Sequence, residues 1–570
     1  MASGSSLFLD ALIDAGVRYI FANLGSDHTG LIEAIAEAKT TGKPVPALVT
    51  CPTEMVALSA AHGYAQVSGA AQAVIVHVEC GTQSLAGAMH NAAKGRIPVL
   101  IFAGASPFTQ HGELMGSRNE FIHWIQDVHD QRGLVRGYTK YDHEFRSAEN
   151  VKEITFRALR FAYSDPPGPV YLMGAREVME ATVTRPPGPS THWQAIAPSA
   201  LPAEAVELIA TDLSRARRPL VVTSYVGRNP RAFEALVALC NRFGIGVLES
   251  VPSYANYPHS NSLYQGSQWN EAHQNPVLAE ADTILVIDSD VPWIPLLNRP
   301  ADQAAIYHID VDPLKVQMPL APMAARNCYR VDAEYALRQI HAHLERLPPT
   351  HQVIEERRAH YERLHRRRRA MLDNREKPGG DVIIPEHLTA CIRDHVGADA
   401  LVLNEGISNY QTVVDHLRVS RPGALFASGG GSLGWNGGAA IGAKLASPEK
   451  TVVALTGDGS YIMSHPSSVH WMARRYKAPF LRVIYNNGGW KSPRLSTLAI
   501  HPDGYASRSD DIGVSFEEAP DHAAIAAAAG GAFAAVVQRP GDIDGALDAA
   551  LRAVRVEGRA AVLDVRLPSF

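Results

Sequence analysis

The chain has 570 residues, of which 46% are hydrophobic and 19% charged, so it can form several domains with large buried cores. A formal net charge of −5 excludes the basic surface expected of a nucleic-acid-binding or membrane-surface protein, and no partner of either kind is expected. No apolar run is long enough to span a membrane, and no signal peptide is recognisable, so a cytoplasmic location is the default expectation. Five cysteines without a CxxC pair predict neither a disulfide framework nor structural zinc.

Short β-branched runs alternate with Ala-rich helical stretches along the chain, which predicts an α/β fold with three parallel-sheet domains. The predicted domains span residues 1–185, 203–345 and 376–570. A Pro-rich break at Arg185–Pro189 ends the first, and the charged stretch Glu355–Arg375 is interpreted as a solvated linker helix rather than an anion site. The predicted elements, in chain order, are strand Tyr19–Phe21, helix Gly30–Lys39, and strands Ala73–Val78, Val99–Phe102, Leu220–Thr223, Thr283–Ile287, Ile306–Ile309 and Leu401–Leu403.

The most informative segment contains two further predicted strands, Thr451–Leu455 and Leu481–Tyr485, joined by a predicted helix at Ser467–Tyr476. The first strand leads into Gly457–Ser460 (GDGS) and the second into Asn486–Gly489 (NNGG). Open α/β sheets bind ligands at the carboxyl ends of their strands, where these two segments lie.

The chemistry of these two segments suits a metal and a diphosphate. Asp458, Asn487 and the backbone carbonyl of Gly489 supply the oxygen ligands that Mg²⁺ prefers. The glycines let backbone N–H groups approach a phosphate, and the N-terminus of the following helix favours its negative charge.

A GDG and an NN that follow successive strands resemble the cofactor motif of the thiamine-diphosphate (ThDP)-dependent enzymes. The resemblance covers nearly the whole chain and implies pyrimidine-binding, central and diphosphate-binding domains, in that order. It implies an enzyme that uses ThDP and Mg²⁺ to break or form a carbon–carbon bond next to a carbonyl. The cofactor-binding residues that the resemblance indicates are Glu54, Ser408, Gly431, Leu433, Gly457, Asp458, Gly459, Ser460, Asn487, Gly489 and Trp490.

The family places a glutamate at the start of a helix, against N1′ of the cofactor's pyrimidine. Glu54, followed by Gly63-Tyr64-Ala65, matches that position, and we expect it to be buried there. In the family this glutamate reaches a cofactor held by another subunit. The resemblance therefore implies self-association, as a dimer or tetramer, with sites at the subunit interface.

Two further segments match parts of the family that contact the cofactor. Leu433 stands where a large aliphatic residue imposes the bent form of ThDP, and the Gly431 carbonyl would accept its 4′-amine. Asn404–Ser408 matches a loop that touches the diphosphate, and Trp490 with the residues after it should line the space above the thiazolium.

The predicted catalytic residues on the substrate side, beside Glu54, come from the first domain. Ser26 and His28 lie in the loop after the first strand, and His77 ends the strand predicted at Ala73–Val78. Ser26 and His77 align with pocket residues of benzoylformate decarboxylase, whereas Gln126 lies in a stretch similar to acetolactate synthase.

The wider match favours an acetolactate synthase-like lyase or carboligase, which decarboxylates a 2-oxo acid and transfers the acyl carbanion to an aldehyde or ketone. Gly81–Ser84 (GTQS) departs from the GPG loop of that enzyme. Ile287–Trp293 lacks the Arg-Phe pair that helps hold FAD, so FAD is not favoured. The alternative is a non-ligating decarboxylase of aryl or branched 2-oxo acids. A non-enzymatic protein that keeps the fold is a third hypothesis, which the presence of Glu54, Asp458 and Asn487 disfavours. The sequence leaves the acyl donor and the acceptor open.

Overall fold

The computed structural model describes residues 2–184, 194–270, 272–321, 325–509 and 512–569. It contains three six-stranded parallel sheets, each flanked by helices, so the predicted α/β class is confirmed. The Pro-rich break predicted at Arg185–Pro189 lies outside the described residues. Within those described ranges, no helix combines the length and apolar character needed to cross a membrane.

The first domain is built on a sheet with the strand order β2-β1-β3-β4-β6-β5. Its inner strands β3 and β4 are buried along their whole length, as expected of parallel strands covered by helices on both faces. The strands are β1 Tyr19–Ala22, β2 Ala47–Thr50, β3 Ala73–Val76, β4 Leu100–Ala105, β5 Tyr141–Phe145 and β6 Val170–Ala175. The helices are α1 Gly4–Asp14, α2 Thr29–Thr41, α3 Glu54–Ser68, α4 Val78–Lys94, α5 Ile122–Ile125, α6 Val151–Tyr163 and α7 Arg176–Glu180.

The central domain has the strand order β12-β11-β10-β7-β8-β9. The strands are added outward from β7 on one side and from β10 on the other, so the topological switch point lies between β7 and β10. Its strands are β7 Pro219–Thr223, β8 Gly246–Ser250, β9 Tyr264–Gln268, β10 Thr283–Ile287, β11 Ala305–Asp310 and β12 Asn327–Arg330. Its helices are α8 Ala203–Arg215, α9 Pro230–Phe243, α10 Pro276–Glu280 and α11 Ala333–Arg346.

The charged stretch forms the 25-residue helix α12, His351–Arg375. This helix is not purely a solvated linker, because Arg357 is buried and donates hydrogen bonds to the carbonyls of Leu213 (2.7 Å) and Phe243 (3.1 Å). Arg368 pairs with Asp415 across 2.7 Å. These contacts fasten α12 to the central and third domains.

The third domain has the strand order β14-β13-β15-β16-β18-β17, which repeats the order of the first domain strand for strand. Its strands are β13 Leu401–Glu405, β14 Leu425–Phe426, β15 Val452–Gly457, β16 Leu481–Asn486, β17 Phe533–Val537 and β18 Ala561–Arg566. Its helices are α13 Pro385–Val396, α14 Tyr410–Leu417, α15 Trp435–Ala446, α16 Asp458–Met463, α17 Pro466–Arg475, α18 Lys491–Ile500, α19 His522–Gly530 and α20 Ile543–Arg555.

Helices α3 and α15 pack the first and third domains of one chain against each other. Their backbones approach so closely that a Cβ on Gly63 would lie 2.2 Å from the carbonyl oxygen of Ala439. A Cβ on Gly442 would lie 1.8 Å from the carbonyl oxygen of Ala60. The small residues of both helices therefore fix the distance between the two domains.

One predicted element ends earlier than expected. Strand β3 stops at Val76 instead of Val78, because the Val78 N–H bonds to the side chain of Asp27 and helix α4 begins at that residue. His77 therefore lies between a strand and a helix, as the N-cap residue of α4.

Candidate active site

A cavity of about 250 Å³ opens at the carboxyl ends of the third domain's strands. It collects ten of the eleven residues that the sequence indicates for cofactor binding: Ser408, Gly431, Leu433, Gly457, Asp458, Gly459, Ser460, Asn487, Gly489 and Trp490. Ile407, Asn409, Lys491, Ser492 and Pro493 line it too. Among the described residues, none of the first domain lines this cavity, so Glu54 lies outside it in this chain.

The two side chains predicted to bind a metal have free oxygen atoms. Among the residues that the structure describes, Oδ2 of Asp458 and Oδ1 of Asn487 are buried and have no hydrogen-bond partner, and burial raises the pKa of Asp458. Oδ1 of Asp458 accepts from the N–H of Gly459 at 2.9 Å, which orients the carboxylate. Buried polar atoms normally have partners, so these two oxygens fit ligands of a cation.

Asn486 has a different task from Asn487. Its Oδ1 accepts from the N–H of Gly488 (3.1 Å), and its Nδ2 donates to Asp564 (2.8 Å). The first asparagine thus holds the turn, whereas the second leaves its carbonyl oxygen free.

The donor set suits a hard cation that shares its ligands with a diphosphate. Within the described ranges, no group of three or more His, Cys, Asp or Glu side chains could hold a metal ion. A cation at Asp458 would therefore take the amide oxygen of Asn487, a backbone carbonyl and phosphate oxygens. Those are ligands that Mg²⁺ accepts in its octahedral shell.

The aromatic ring of Trp490 requires glycine at position 459. A Cβ on Gly459 would lie 2.2 Å from Cζ3 of Trp490, and the ring packs edge-on against Phe516 with centroids 5.0 Å apart. Gly489 has φ +151°, and a Cβ there would meet the carbonyl oxygen of Val514 at 2.2 Å. Gly459 of the GDG motif therefore leaves room for the ring of Trp490, and Gly489 of the NNGG motif leaves room for the backbone at Val514.

Glu405, at the end of β13, fixes the loop that carries Leu433. Its buried carboxylate accepts hydrogen bonds from the backbone N–H groups of Gly434 (2.8 Å), Trp435 (2.9 Å) and Asn436 (3.0 Å). Burial raises its pKa to about 7, although these bonds act in the opposite direction. Glu405 thus caps helix α15, while Ser408, three residues on, lines the cavity.

Glu54 is the first residue of α3 and is half-buried in this chain. The side-chain amide of Asn23 donates a 2.9 Å hydrogen bond to its Oε1. Gly81, the first residue of the GTQS segment, packs behind this carboxylate, since a Cβ there would lie 3.3 Å from Oε1. The expected burial of Glu54 against a cofactor stays a prediction.

His77 and His28 occupy different environments although both lie near Asp27. The side chain of His77 is 25% exposed, and its Nδ1 lies 2.6 Å from Oδ1 of Asp27. His28 is buried, its Nδ1 accepts from the N–H of Gly25 at 3.0 Å, and burial lowers its pKa. His77 is thus the histidine of the pair that can meet a small molecule, whereas His28 lies behind Asp27.

Ser26 and Gln126 lie close to the same histidine cluster. The Ser26 hydroxyl is 3.3 Å from Nε2 of His123, a buried histidine that the sequence analysis missed. Burial lowers the pKa of His123, and the positive charge of Arg176, whose Nη1 lies 3.3 Å from Nε2 of His123, lowers it further. Gln126 is also buried and helps raise the pKa of His77. The predicted roles of Ser26, His28, His77 and Gln126 in catalysis stay predictions.

Charged side chains of the first and central domains meet at the crevice of the central domain, where they line a cavity of about 280 Å³. Arg96, from the first domain, pairs with Asp290 (2.9 Å) and Asp310 (3.0 Å) beyond the ends of β10 and β11. Lys315 pairs with the same two carboxylates, at 2.7 and 2.6 Å. The expectation that FAD is not favoured stays a prediction.

Three family models of thiamine pyrophosphate enzymes match the chain; this compound is ThDP under its other name. The N-terminal TPP binding domain matches residues 2–134, the central domain residues 206–323, and the C-terminal TPP binding domain residues 406–565. The chain therefore belongs to the thiamine pyrophosphate enzyme family. It is a ThDP-dependent enzyme that breaks or forms carbon–carbon bonds.

The curated relatives cover most of the chain at low identity. The acetolactate synthase large subunit of Lactococcus lactis is 25% identical over 483 residues, 81% of this chain and 77% of that protein. A probable 2-ketoarginine decarboxylase of Pseudomonas aeruginosa is 25% identical over 504 residues, 85% of this chain and 81% of that protein.

Solved structures share the whole architecture. The 4-hydroxybenzoylformate decarboxylase of Rhodococcus jostii superposes with a TM-score of 0.79 at 22% identity, over 100% of both chains. The benzoylformate decarboxylase of Polynucleobacter necessarius gives 0.78 at 16% identity, over 100% of this chain and 99% of its own. At these identities the likeness establishes the fold alone.

Proposed function

We propose that the protein is a Mg²⁺- and ThDP-dependent lyase or carboligase similar to acetolactate synthase, acting on a 2-oxo acid. The observation that carries the proposal is the pair of unpartnered buried oxygens, Oδ2 of Asp458 and Oδ1 of Asn487, in a cavity lined by ten predicted cofactor residues. When bound, ThDP supplies a carbon nucleophile that attacks the ketone and stabilises the negative charge left by decarboxylation.

The residues of the third domain hold and orient the cofactor in this proposal. Asp458, Asn487 and the Gly489 carbonyl would hold the cation, and the backbone N–H groups where α16 begins would favour the charge of the diphosphate. Leu433, in the loop that Glu405 caps, would lie against the cofactor. Trp490 lines the cavity beside the metal loop, where its ring would keep water from the cofactor.

The acid–base residues of the proposed site come from the first domain of a second copy of the chain. Glu54 moves a proton at the pyrimidine nitrogen, and His77 faces the substrate. The cavity has no lining residue from its own first domain among the described residues, which supports a site completed by a partner. We therefore infer a dimer or a dimer of dimers.

A second candidate is a non-ligating decarboxylase of aryl or branched 2-oxo acids. The partly exposed His77, held by Asp27, favours it, because a positioned histidine can protonate a decarboxylated intermediate and release an aldehyde. A decarboxylase of a cationic 2-oxo acid, the substrate type in the name of the Pseudomonas relative, is a variant of this candidate.

Product analysis separates the two candidates. The purified protein, with ThDP and MgCl₂, is given a panel of 2-oxo acids with and without an acceptor aldehyde or second 2-oxo acid. The carboligase proposal expects an acyloin or acetohydroxy acid. Aldehyde and CO₂ alone would favour the decarboxylase, and no turnover of any 2-oxo acid would overturn both.

A further inference from the structure

We propose that Asp27 is a positioning residue of the substrate pocket: its carboxylate holds Nδ1–H of His77, so that Nε2 is presented to the carboxylate or ketone oxygen of an anionic 2-oxo acid. This inference rests on the proposed function for the identity of the substrate. The hydrogen bond between Asp27 and His77 is present without substrate or cofactor, so it is tested in the apoprotein.

The hydrogen-bond pattern fixes which nitrogen of His77 is free. Oδ1 of Asp27 lies 2.6 Å from Nδ1 of His77, and Oδ2 accepts from the N–H of Val78 at 3.0 Å. Asp27 is itself only 2% exposed, so both oxygens act inside the protein. A carboxylate only accepts hydrogen bonds, and the proton between the two residues therefore lies on Nδ1. Nε2 is then the second ring nitrogen of a side chain that is 25% exposed.

His28 does not compete for this role. Its Nδ1 lies 3.1 Å from the same Oδ1 of Asp27 but already accepts from the N–H of Gly25. A neutral His28 with that nitrogen unprotonated has no proton to give to Asp27. The donor to the carboxylate is thus His77.

Two glycines leave room for this pair. A Cβ on Gly25 would lie 2.0 Å from Nδ1 of His77, and a Cβ on Gly104 would lie 1.9 Å from Oδ2 of Asp27. Neither glycine has a φ in the left-handed region. Gly25 and Gly104 are therefore needed because a side chain at either position would overlap with His77 or Asp27, and not because of their backbone conformation.

The backbone at Val78 carries strain that the pair holds in place. Val78 is β-branched and has φ +33°, a conformation that such residues rarely adopt. Its N–H is the group that donates to Asp27. Strain of this kind persists where surrounding contacts impose it, and it is concentrated at functional sites.

Burial and a like charge on His28 disfavour a charged His77, whereas the acidic groups around it favour one. The groups that influence it are Asp27 and His28 on the turn after β1 and Glu54 on α3. The hydrogen bond to Asp27 raises the pKa of His77, and Glu54 adds to the effect. A protonated His77 is a cation with a second N–H, which suits an anionic substrate.

The test measures the pH dependence of His77 modification by diethyl pyrocarbonate in the apoprotein, with each histidine quantified by mass spectrometry. The exposed His111 serves as an internal reference in every sample. In the wild type, the apparent pKa of His77 should lie above the ordinary value of a histidine, because of the hydrogen bond to Asp27. Asp27→Asn, which keeps size and the acceptor for Val78, should lower it by about one unit or more, as expected when a neighbouring opposite charge is removed.

The same variant should raise KM for the 2-oxo acid and move the alkaline limb of the pH profile to lower pH, because His77 then loses its proton at a lower pH. An apparent pKa of His77 in the wild type no higher than the ordinary value of a histidine would overturn the proposal without any variant. An unchanged His77 pKa in folded Asp27→Asn would overturn it too. If only the proposed function is wrong, the modification data should still show the effect of Asp27 on the pKa of His77, but no 2-oxo acid would be turned over.

Discussion

Asn23 and Glu54 form a hydrogen-bonded pair on the face of the first domain, with Nδ2 of Asn23 2.9 Å from Oε1 of Glu54. Asn23 directly follows β1 and Glu54 begins α3. The orientation of the Glu54 carboxylate is therefore set by a residue of α3 and by one that follows β1. The amide leaves Oε2 free to share a proton with a ligand.

Glu54→Gln should keep the fold and the affinity for ThDP but slow turnover by about 10²–10⁴-fold, the usual scale of a lost acid–base group. Gln keeps the size of the side chain but cannot carry the proton. Asn23→Ala is the matched comparison, since it removes the orienting bond and leaves the carboxylate, so a smaller loss is expected. ThDP binding by calorimetry and kcat on the best 2-oxo acid check both. Wild-type turnover in Glu54→Gln would refute the assignment.

Mixing Glu54→Gln with Asp458→Ala protein should restore activity if each site takes these residues from different chains. Random exchange into dimers gives up to about a quarter of wild-type activity, because half of the dimers hold one intact site. Each variant alone is the control. Well-exchanged mixtures that stay inactive would place both residues in one chain's site.

The two glycines of the GDG motif should respond differently to alanine. In Gly459→Ala the new Cβ would lie 2.2 Å from the Trp490 ring, whereas a Cβ on Gly457 meets nothing within 4 Å. We expect Gly459→Ala to destabilise the apoprotein by about 1–3 kcal/mol, the usual cost of overpacking. Gly457→Ala should leave apoprotein stability unchanged. Thermal unfolding without cofactor compares them, and equal stability of the two variants would contradict the packing described for Trp490.

Glu405 should make the apoprotein less stable as the pH rises from 5 to 8. Burial raises its pKa from 4.5 to about 7 in the folded protein, so folding favours the protonated acid. That preference is fully present below pH 4.5 and is lost as the pH rises through 7, at a cost of up to about 3 kcal/mol.

Glu405→Gln should therefore flatten the change in unfolding midpoint between pH 5 and pH 8. The exposed Glu449, changed to Gln, is the control and should leave the wild-type dependence intact. If Glu405→Gln and wild type lose the same stability over this range, the carboxylate is already ionised at pH 5.

The fold and the meeting of the GDG and NNGG segments at one cavity could be predicted because their signals are local. Strand Thr283–Ile287 was predicted with the bounds it has, and GDG and NNGG each follow their strand within a few residues. Parallel strands bring such segments to one edge of a sheet, so local order along the chain was enough to place Asp458 beside Asn487.

Contacts between distant residues could not be predicted in this way. Asn23 and Glu54 are 31 residues apart, and Asp27 and His77 are 50 apart. Arg96 enters the central domain from the first domain, and nothing around it in the sequence marks that contact. For the same reason the sequence presented His28 and His77 as equals, although folding buries one and leaves the other partly exposed.

Binding of ThDP to the apoprotein, measured by calorimetry with and without MgCl₂, tests the central claim most directly. The account predicts tight binding that requires Mg²⁺, and loss of that binding in Asp458→Ala and Asn487→Ala, because each removes an unpartnered oxygen from the metal site. Asp548→Ala, an exposed position on α20 of the same domain, should bind like wild type. Mg²⁺-independent binding, or wild-type affinity in Asp458→Ala, would contradict the account.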